Sequence, residues 1–215
     1  MAVVWDRVQM EESMRKFATA IILSLVATTP ALAQEGYRHE TYAGVIGGWD
    51  RARINYPGAS ASDDGVVYGG VIGIQTSQER SFMFGVEGEV TGSTTKETVD
   101  DVFTPGDTAR VKMGRDLFIG ARAGIRPSRG LLIYGKVGYT NARMTAEYTG
   151  PATNLELSDN LEGYRVGGGV EFGEGALRFR GEYRYSNYGD VRLNGVATGI
   201  NPQRHQVVAG ALFAF

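Results

Sequence analysis

From residue 41 to the C-terminus, apolar side chains recur at every second position in short runs, and no stretch sustains a helical period. Eight runs predict strands at 41–54, 65–76, 81–92, 111–126, 131–146, 161–173, 176–187 and 203–215. On one face of each run from the second to the eighth, five successive positions carry no charge. They begin with Val66, Tyr68, Gly70, Ile72 and Ile74 and end with Val207, Ala209, Ala211, Phe213 and Phe215. The opposite faces hold glycine and charge: Glu87, Glu89, Asp116, Arg122, Lys136, Arg165, Glu171, Arg178, Arg180, Glu182, Arg184 and Arg204. The first run leaves its facing open. Either Tyr42, Gly44, Ile46 and Gly48 turn outward, or Ala43, Val45, Gly47 and Trp49 do.

A soluble barrel encloses its apolar face and shows the polar one to water. Here the charged face is dense in glycine, which suits a crowded interior, while the bulky aromatics share the uncharged face. The consistent solution is inside out: an all-β, eight-stranded antiparallel up-and-down transmembrane β-barrel with its apolar face in lipid. Closure leaves no unpaired backbone in hydrocarbon. Eight strands enclose a lumen that side chains can fill. Glu87, Glu89, Arg122, Lys136, Arg165, Glu171, Arg180, Glu182 and Arg184 are therefore expected to form one interior charge network, because an unpaired buried charge is costly.

The connections alternate in length. Those near 77–80, 127–130 and 174–175 are short; those at 55–64, 93–110, 147–160 and 188–202 are long and polar. In a membrane barrel the short turns and both termini face the periplasm and the long loops face outside.

The N-terminal segment has a different character. From Met14 the chain reads MRKFATAIILSLVATTPALAQ. Two bases precede an uncharged, mostly apolar stretch, Pro30 breaks it, and Ala31-Leu32-Ala33 is an A-x-A cleavage signal. Residues 1–33 are thus expected to be an extension plus a secretory leader, with translation starting at Met14 and cleavage after Ala33. Asp6, Glu11 and Glu12 do not suit the charged start of a leader. Residues 34–215 form the barrel domain.

Composition narrows the chemistry. Glycine accounts for 31 of 215 residues, about twice the usual ~7%. Twenty-two bases against 24 acids give a net charge of −2 and no footprint for nucleic acid. With no cysteine, disulfides, thiol catalysis and thiolate metal sites are excluded. The histidines are His39 and His205. A lipid-modifying enzyme could be built only on His205, but Ser186 and the other serines lack a nucleophile context, and G-x-S-x-G is absent. Asp63-Asp64 and Asp100-Asp101 lack the ligand spacing of a calcium loop and are expected to be solvated. Gly44-x-x-x-Gly48 and its like match a helix-dimer motif in letters only. No cofactor or metal is expected.

Four segments carry a family resemblance: GVEGE at 85–89, RDLFIGARAGIRPSRGLLIYGKVGY at 115–139, GGGVEF at 167–172 and GEYRYSNYG at 181–189. They resemble the opacity-like, porin-family small outer-membrane β-barrel proteins of Gram-negative bacteria. The terminal Phe215 is similar to the final aromatic of that family, and the resemblance implies that the barrel-assembly machinery reads it. It further implies a structural or surface role in outer-membrane lipid; the sequence does not give the oligomeric state, and a monomer is the expectation. A narrow passive pore for ions or small solutes is the alternative, and a lipid-modifying enzyme is a third. Twelve interior charges favour a plugged lumen over a pore.

Overall fold

The computed structural model describes residues 37–56, 59–78, 82–100, 106–150, 154–189, 192–193, 196–197 and 201–215. The expected leader, with its start at Met14 and cleavage after Ala33, lies outside them. Among the described residues eleven strands follow in chain order. They are β1 (Tyr37–Tyr56), β2 (Ala59–Gln78), β3 (Phe82–Ser93), β4 (Lys96–Asp100), β5 (Thr108–Ser128), β6 (Leu131–Thr149), β7 (Asn154–Phe172), β8 (Leu177–Asn187), β9 (Arg192–Leu193), β10 (Val196–Ala197) and β11 (Asn201–Ala214).

Every pairing in the main sheet whose register is described is antiparallel. The order runs β3-β2-β1-β11-β8-β7-β6-β5, and β3 pairs with β5, which closes a ring of eight strands. β4 continues the line of β3 against the upper part of β5, and β9 and β10 form a separate small hairpin. The ring is sealed where the chain ends meet: Tyr42 lies opposite Ala214, and Thr41 and Phe215 exchange two backbone hydrogen bonds of 3.1 and 2.9 Å. Closure satisfies the backbone where an open edge in lipid could not. Among the described residues no helix is long and apolar enough to cross a membrane. The spanning elements are strands.

Alternation sorts the side chains. Val45, Tyr68, Ile72, Phe84, Val90, Ile119, Val137, Val166, Phe179, Val207 and Phe213 all point outward and are exposed by the protein itself. The first strand resolves its ambiguity. Val45 and Trp49 face out, while Tyr42, Ile46 and Asp50 are buried inside. The inner face is also less purely glycine and charge than expected, since Met83, Phe118, Leu132, Tyr134, Val208 and Leu212 are buried there too. Glycines make the room for them. A Cβ on Gly73 would stand 2.3 Å from the ring of Tyr42.

Three of the four expected long loops are largely strand. β1 runs to Tyr56 and β2 resumes at Ala59, β4 and the start of β5 occupy much of 93–110, and β6 and β7 reach Thr149 and Asn154. β1, β2, β5, β6 and β7 have 19–21 residues, about twice the ~9–11 a spanning strand needs. The backbone ladder continues past the apolar belt, where both faces are polar and alternation gives no signal. At the opposite rim the turns are tight: Arg129-Gly130 joins β5 to β6, with Gly130 at φ 73°, a conformation glycine adopts without strain.

Candidate functional site

Within the strand ladder the buried acids are Asp50, Glu87, Glu89, Asp116, Glu171 and Glu182. The buried bases are Arg122, Lys136, Arg165, Arg180, Arg184 and Arg204, six of each. Inward-facing positions on seven of the eight ring strands contribute; β2 supplies only Val67, Gly69, Val71, Gly73 and Gln75 to this belt. The side chains cross the lumen in three tiers.

The tier toward the short turns centres on two arginines. Arg122 Nη2 lies 2.6 Å from Glu171 Oε1, and Arg180 Nη2 lies 2.8 Å from the same oxygen and 2.7 Å from Glu87 Oε2. Arg122 Nη1 donates to the Tyr42 hydroxyl at 2.6 Å, which donates in turn to Glu87 Oε2 at 2.6 Å. The Arg122 guanidinium sits 4.1 Å from the centroid of the Tyr134 ring, a cation–π contact between desolvated partners. Below this tier, at the rim, Arg178 pairs with Glu40. Arg178 is only partly buried there, and it stands apart from the central network.

The middle tier is built on Lys136. Its ammonium lies 2.5 Å from Glu89 Oε1, 3.0 Å from Glu87 Oε1 and 2.7 Å from Glu182 Oε1. The last contact lacks hydrogen-bond alignment and is Coulombic. Tyr134 donates to Glu182 Oε2 at 2.5 Å. The three carboxylates have oxygens within 4.8 Å of one another, a grouping that would suit a hard cation; here the lysine supplies the positive charge. Arg184 Nη1 reaches Glu89 Oε2 at 2.7 Å, and Arg165 Nη1 reaches it at 3.0 Å.

The tier toward the long strands centres on Asp116. Arg165 Nη2 lies 2.5 Å from Asp116 Oδ2 and Arg204 Nη1 lies 3.1 Å from it. Thr140 and Tyr188 donate to the same carboxylate at 2.6 and 2.8 Å. Arg204 also clasps Asp50, whose Oδ1 accepts from Gln206 at 3.0 Å. Tyr188 stands just past the end of β8 and is buried over this tier.

Glu87, Glu89, Arg122, Lys136, Arg165, Glu171, Arg180, Glu182 and Arg184 are thus brought together, and Asp116 and Arg204 join them. Asp50 and Tyr134 join the network without being named by the sequence pattern, and Tyr42 joins it from the first run, whose facing the sequence leaves open. Asp50 shares phase with Tyr42 and Ile46, so its charge was the signal that this face turns inward. Tyr134 is hidden in the sequence because aromatics suit the lipid face.

His205 faces outward, its Nδ1 2.7 Å from the Tyr183 hydroxyl. Ser186 points the other way, buried, and accepts from Arg165 Nε at 2.8 Å. The two sit on opposite sides of the sheet and form no nucleophile–base pair. Asp64 is exposed and ion-paired with Arg51 at 2.7 Å. Asp63 Oδ2 accepts from the Lys96 backbone N–H at 3.2 Å. His39 is exposed. The side chains of Asp100 and Asp101 lie outside the described set.

A family model described as the outer membrane protein beta-barrel domain matches residues 19–215. No curated protein sequence matches the chain. Among solved structures, the chain is similar to Ail, the attachment invasion locus protein of Yersinia pestis, solved in complex with the heparin analogue sucrose octasulfate. Identity is 12% and the TM-score 0.46, over 80% of this chain and 99% of that one. It is also similar to Neisserial surface protein A, with 14% identity and a TM-score of 0.44 over 84% of this chain and all of that one. The N-terminal β-barrel domain of Pseudomonas aeruginosa OprF gives 15% identity and a TM-score of 0.41, over 80% of this chain and 99% of that one.

Proposed function

The chain belongs to the outer membrane protein β-barrel family, and from that premise we propose that it is a structural, surface-displaying barrel whose lumen is locked by its own ion pairs. It resides in the cell outer membrane with its apolar belt in lipid, and it is not an enzyme. The observation that carries the proposal is the filled lumen. Arg122, Arg165, Arg180, Arg184 and Lys136 all cross the interior to carboxylates that are themselves buried. A conducting path would need these pairs to part. Each parting leaves charge without a partner in a confined space, at a cost of a few kcal/mol.

The passive-pore reading is decided by single-channel recording of the protein in a planar bilayer. Locked ion pairs give a flat baseline; steady open steps in the unmodified protein would overturn the lock in favour of a porin.

The same reading holds that residues 1–33 are removed on export, that the barrel works as a monomer, and that Phe215 is the mark the barrel-assembly machinery recognises. It also places the long-strand rim outside the cell. Because the chain has no cysteine, single cysteines report orientation cleanly. An impermeant maleimide should label Thr149→Cys on intact cells and spare Arg129→Cys, and the reverse pattern would invert the topology.

A further inference from the structure

Just beyond the apolar belt on the long-strand rim, the outer surface of β4, β5 and β6 is basic. Lys96 lies directly opposite Lys112 in the ladder, a juxtaposition of like charges that weakens strand pairing unless something neutralises it. Arg110 follows on the same face of β5. A register shift between Met113 and Asp116 inserts an irregularity beside Arg143 of β6. Arg115 and Arg143 are both exposed there, while Met113, Asp116 and Ala142 keep the lumen side. Bulges commonly re-aim side chains in this way.

On β4, β5 and β6 one acid with a described side chain answers these five bases, and on β7 Glu156 and Glu162 share the face opposite Glu147 and Asn141. Glu147 lies 2.5 Å from Lys112 and 3.8 Å from Arg110. Among the described residues, no ion-pair partner reaches Lys96, Arg115 or Arg143. On β1 the outward bases are Arg51, paired with Asp64 at 2.7 Å, and Arg53.

Height above the membrane decides what the patch meets. Leu117, the apolar outward position of β5 nearest this rim, stands two residues after Arg115 in the chain. At ~3.3 Å per residue, Arg115 lies about 7 Å along the strand beyond the hydrocarbon edge, within the headgroup layer that adds ~5–8 Å on each side of the core. The long side chains of Lys112, Lys96 and Arg110 stand farther out on the same face.

We propose that this patch binds the phosphate groups of anionic lipid in the outer leaflet, with Arg115 and Arg143 making the contacts nearest the membrane and Lys96, Lys112 and Arg110 holding the charge above them. The lipid is one whose phosphates sit at the headgroup level, as in a phosphorylated glycolipid such as lipid A. Arginine suits this role because its planar fork binds phosphate in two-point fashion. The inference rests on the long-strand rim facing outward, which the cysteine-labelling experiment tests by itself.

The test compares binding of bisphosphorylated lipid A with the same lipid stripped of its phosphates, using the purified protein in detergent. The unmodified protein should prefer the phosphorylated form by at least an order of magnitude, because each base near an anionic surface adds a favourable contact. Raising the salt should shrink the preference. Arg115→Gln/Arg143→Gln should lose on the order of tenfold in that preference, and Lys96→Gln/Lys112→Gln should lose part of it. Arg51→Gln/Arg53→Gln, which removes two bases from β1, should keep it. The shift between unboiled and boiled gels shows that each variant is folded, and if one pair fails that check the other carries the measurement. Equal binding of the two lipids by the unmodified protein, or an undiminished preference in both patch variants, overturns the proposal. Labelling of Arg129→Cys on intact cells with lipid preference intact would instead refute the orientation and leave the patch standing as an anion site.

Discussion

The lumen and the long-strand rim use the same ion-pair chemistry under opposite conditions. Inside, Glu87 meets Arg122, Lys136 and Arg180, and every partner is out of water. On the rim, Arg51 meets Asp64 at a comparable 2.7 Å with both side chains nearly half exposed. Coulomb attraction at equal distance is several-fold stronger in the drier setting, but so is the desolvation cost of each member. Distance therefore says little about what a pair contributes. What separates the regions is the consequence of breaking a pair: in the lumen the widowed charge stays buried, and on the rim water takes the partner's place.

Glu87→Ala is the sharpest way to break that contrast. It leaves three bases short of charge and takes away the acceptor of the Tyr42 hydroxyl, so unfolding stability in detergent should fall by about 3–5 kcal/mol. Loss below 1 kcal/mol would mean the lumen is wet enough to behave like the rim. Glu182→Ala should cost less, about 1–3 kcal/mol, because Lys136 keeps Glu87 and Glu89 while Tyr134 loses its acceptor. Equal midpoints for Glu182→Ala and the parent would remove Glu182 from the network.

Deleting Phe215 acts at the seam. The ring is exposed to the lipid side, and its backbone exchanges two bonds with Thr41. Refolding in detergent should survive, with a loss of about 1–3 kcal/mol. The outer-membrane level in cells should drop much further, and normal levels would refute a role in targeting.

The smallest effect belongs to the rim. The hydrogen bond from Arg51 lowers the Asp64 carboxyl below its ordinary 3.8. A lowered value makes the pair's contribution complete above that ordinary pKa and removes it as pH falls through the lowered one. Solvent screening leaves little to remove. Asp64→Asn should leave the unfolding midpoint at neutral pH unchanged within error, and a clear shift would mean the rim pair is shielded from water.

The lumen was more legible in the sequence than the rim, for a physical reason. Where one face of a strand meets lipid and the other a packed interior, alternation is enforced at every position, and Val207, Ala209, Ala211 and Phe213 show it plainly. Past the belt both faces meet water or polar neighbours. Ala59 to Asp64 and Asn154 to Asn160 are strand with no alternation to reveal it. Asp50 escaped because Gly44 and Gly48 blank out two of the five positions that would have shown its face. The register shift that exposes Arg115 beside Arg143 depends on the cross-strand partner, which neither segment discloses alone.

The seam between β1 and β11 has a consequence for assembly. Arg204 and Asp50 are 154 residues apart in the chain, and Tyr42 and Ala214 lie farther apart still. Contacts between such distant segments form late, because their loop-closure entropy must be met first. Most of the lumen pairs join strands that are not neighbours in the ring, so they mature as the sheet curls. Until then the charged face must stay hydrated. Closure and dehydration are thus one event, and a half-closed barrel would lose the backbone bonds of its seam and its internal neutralisation together.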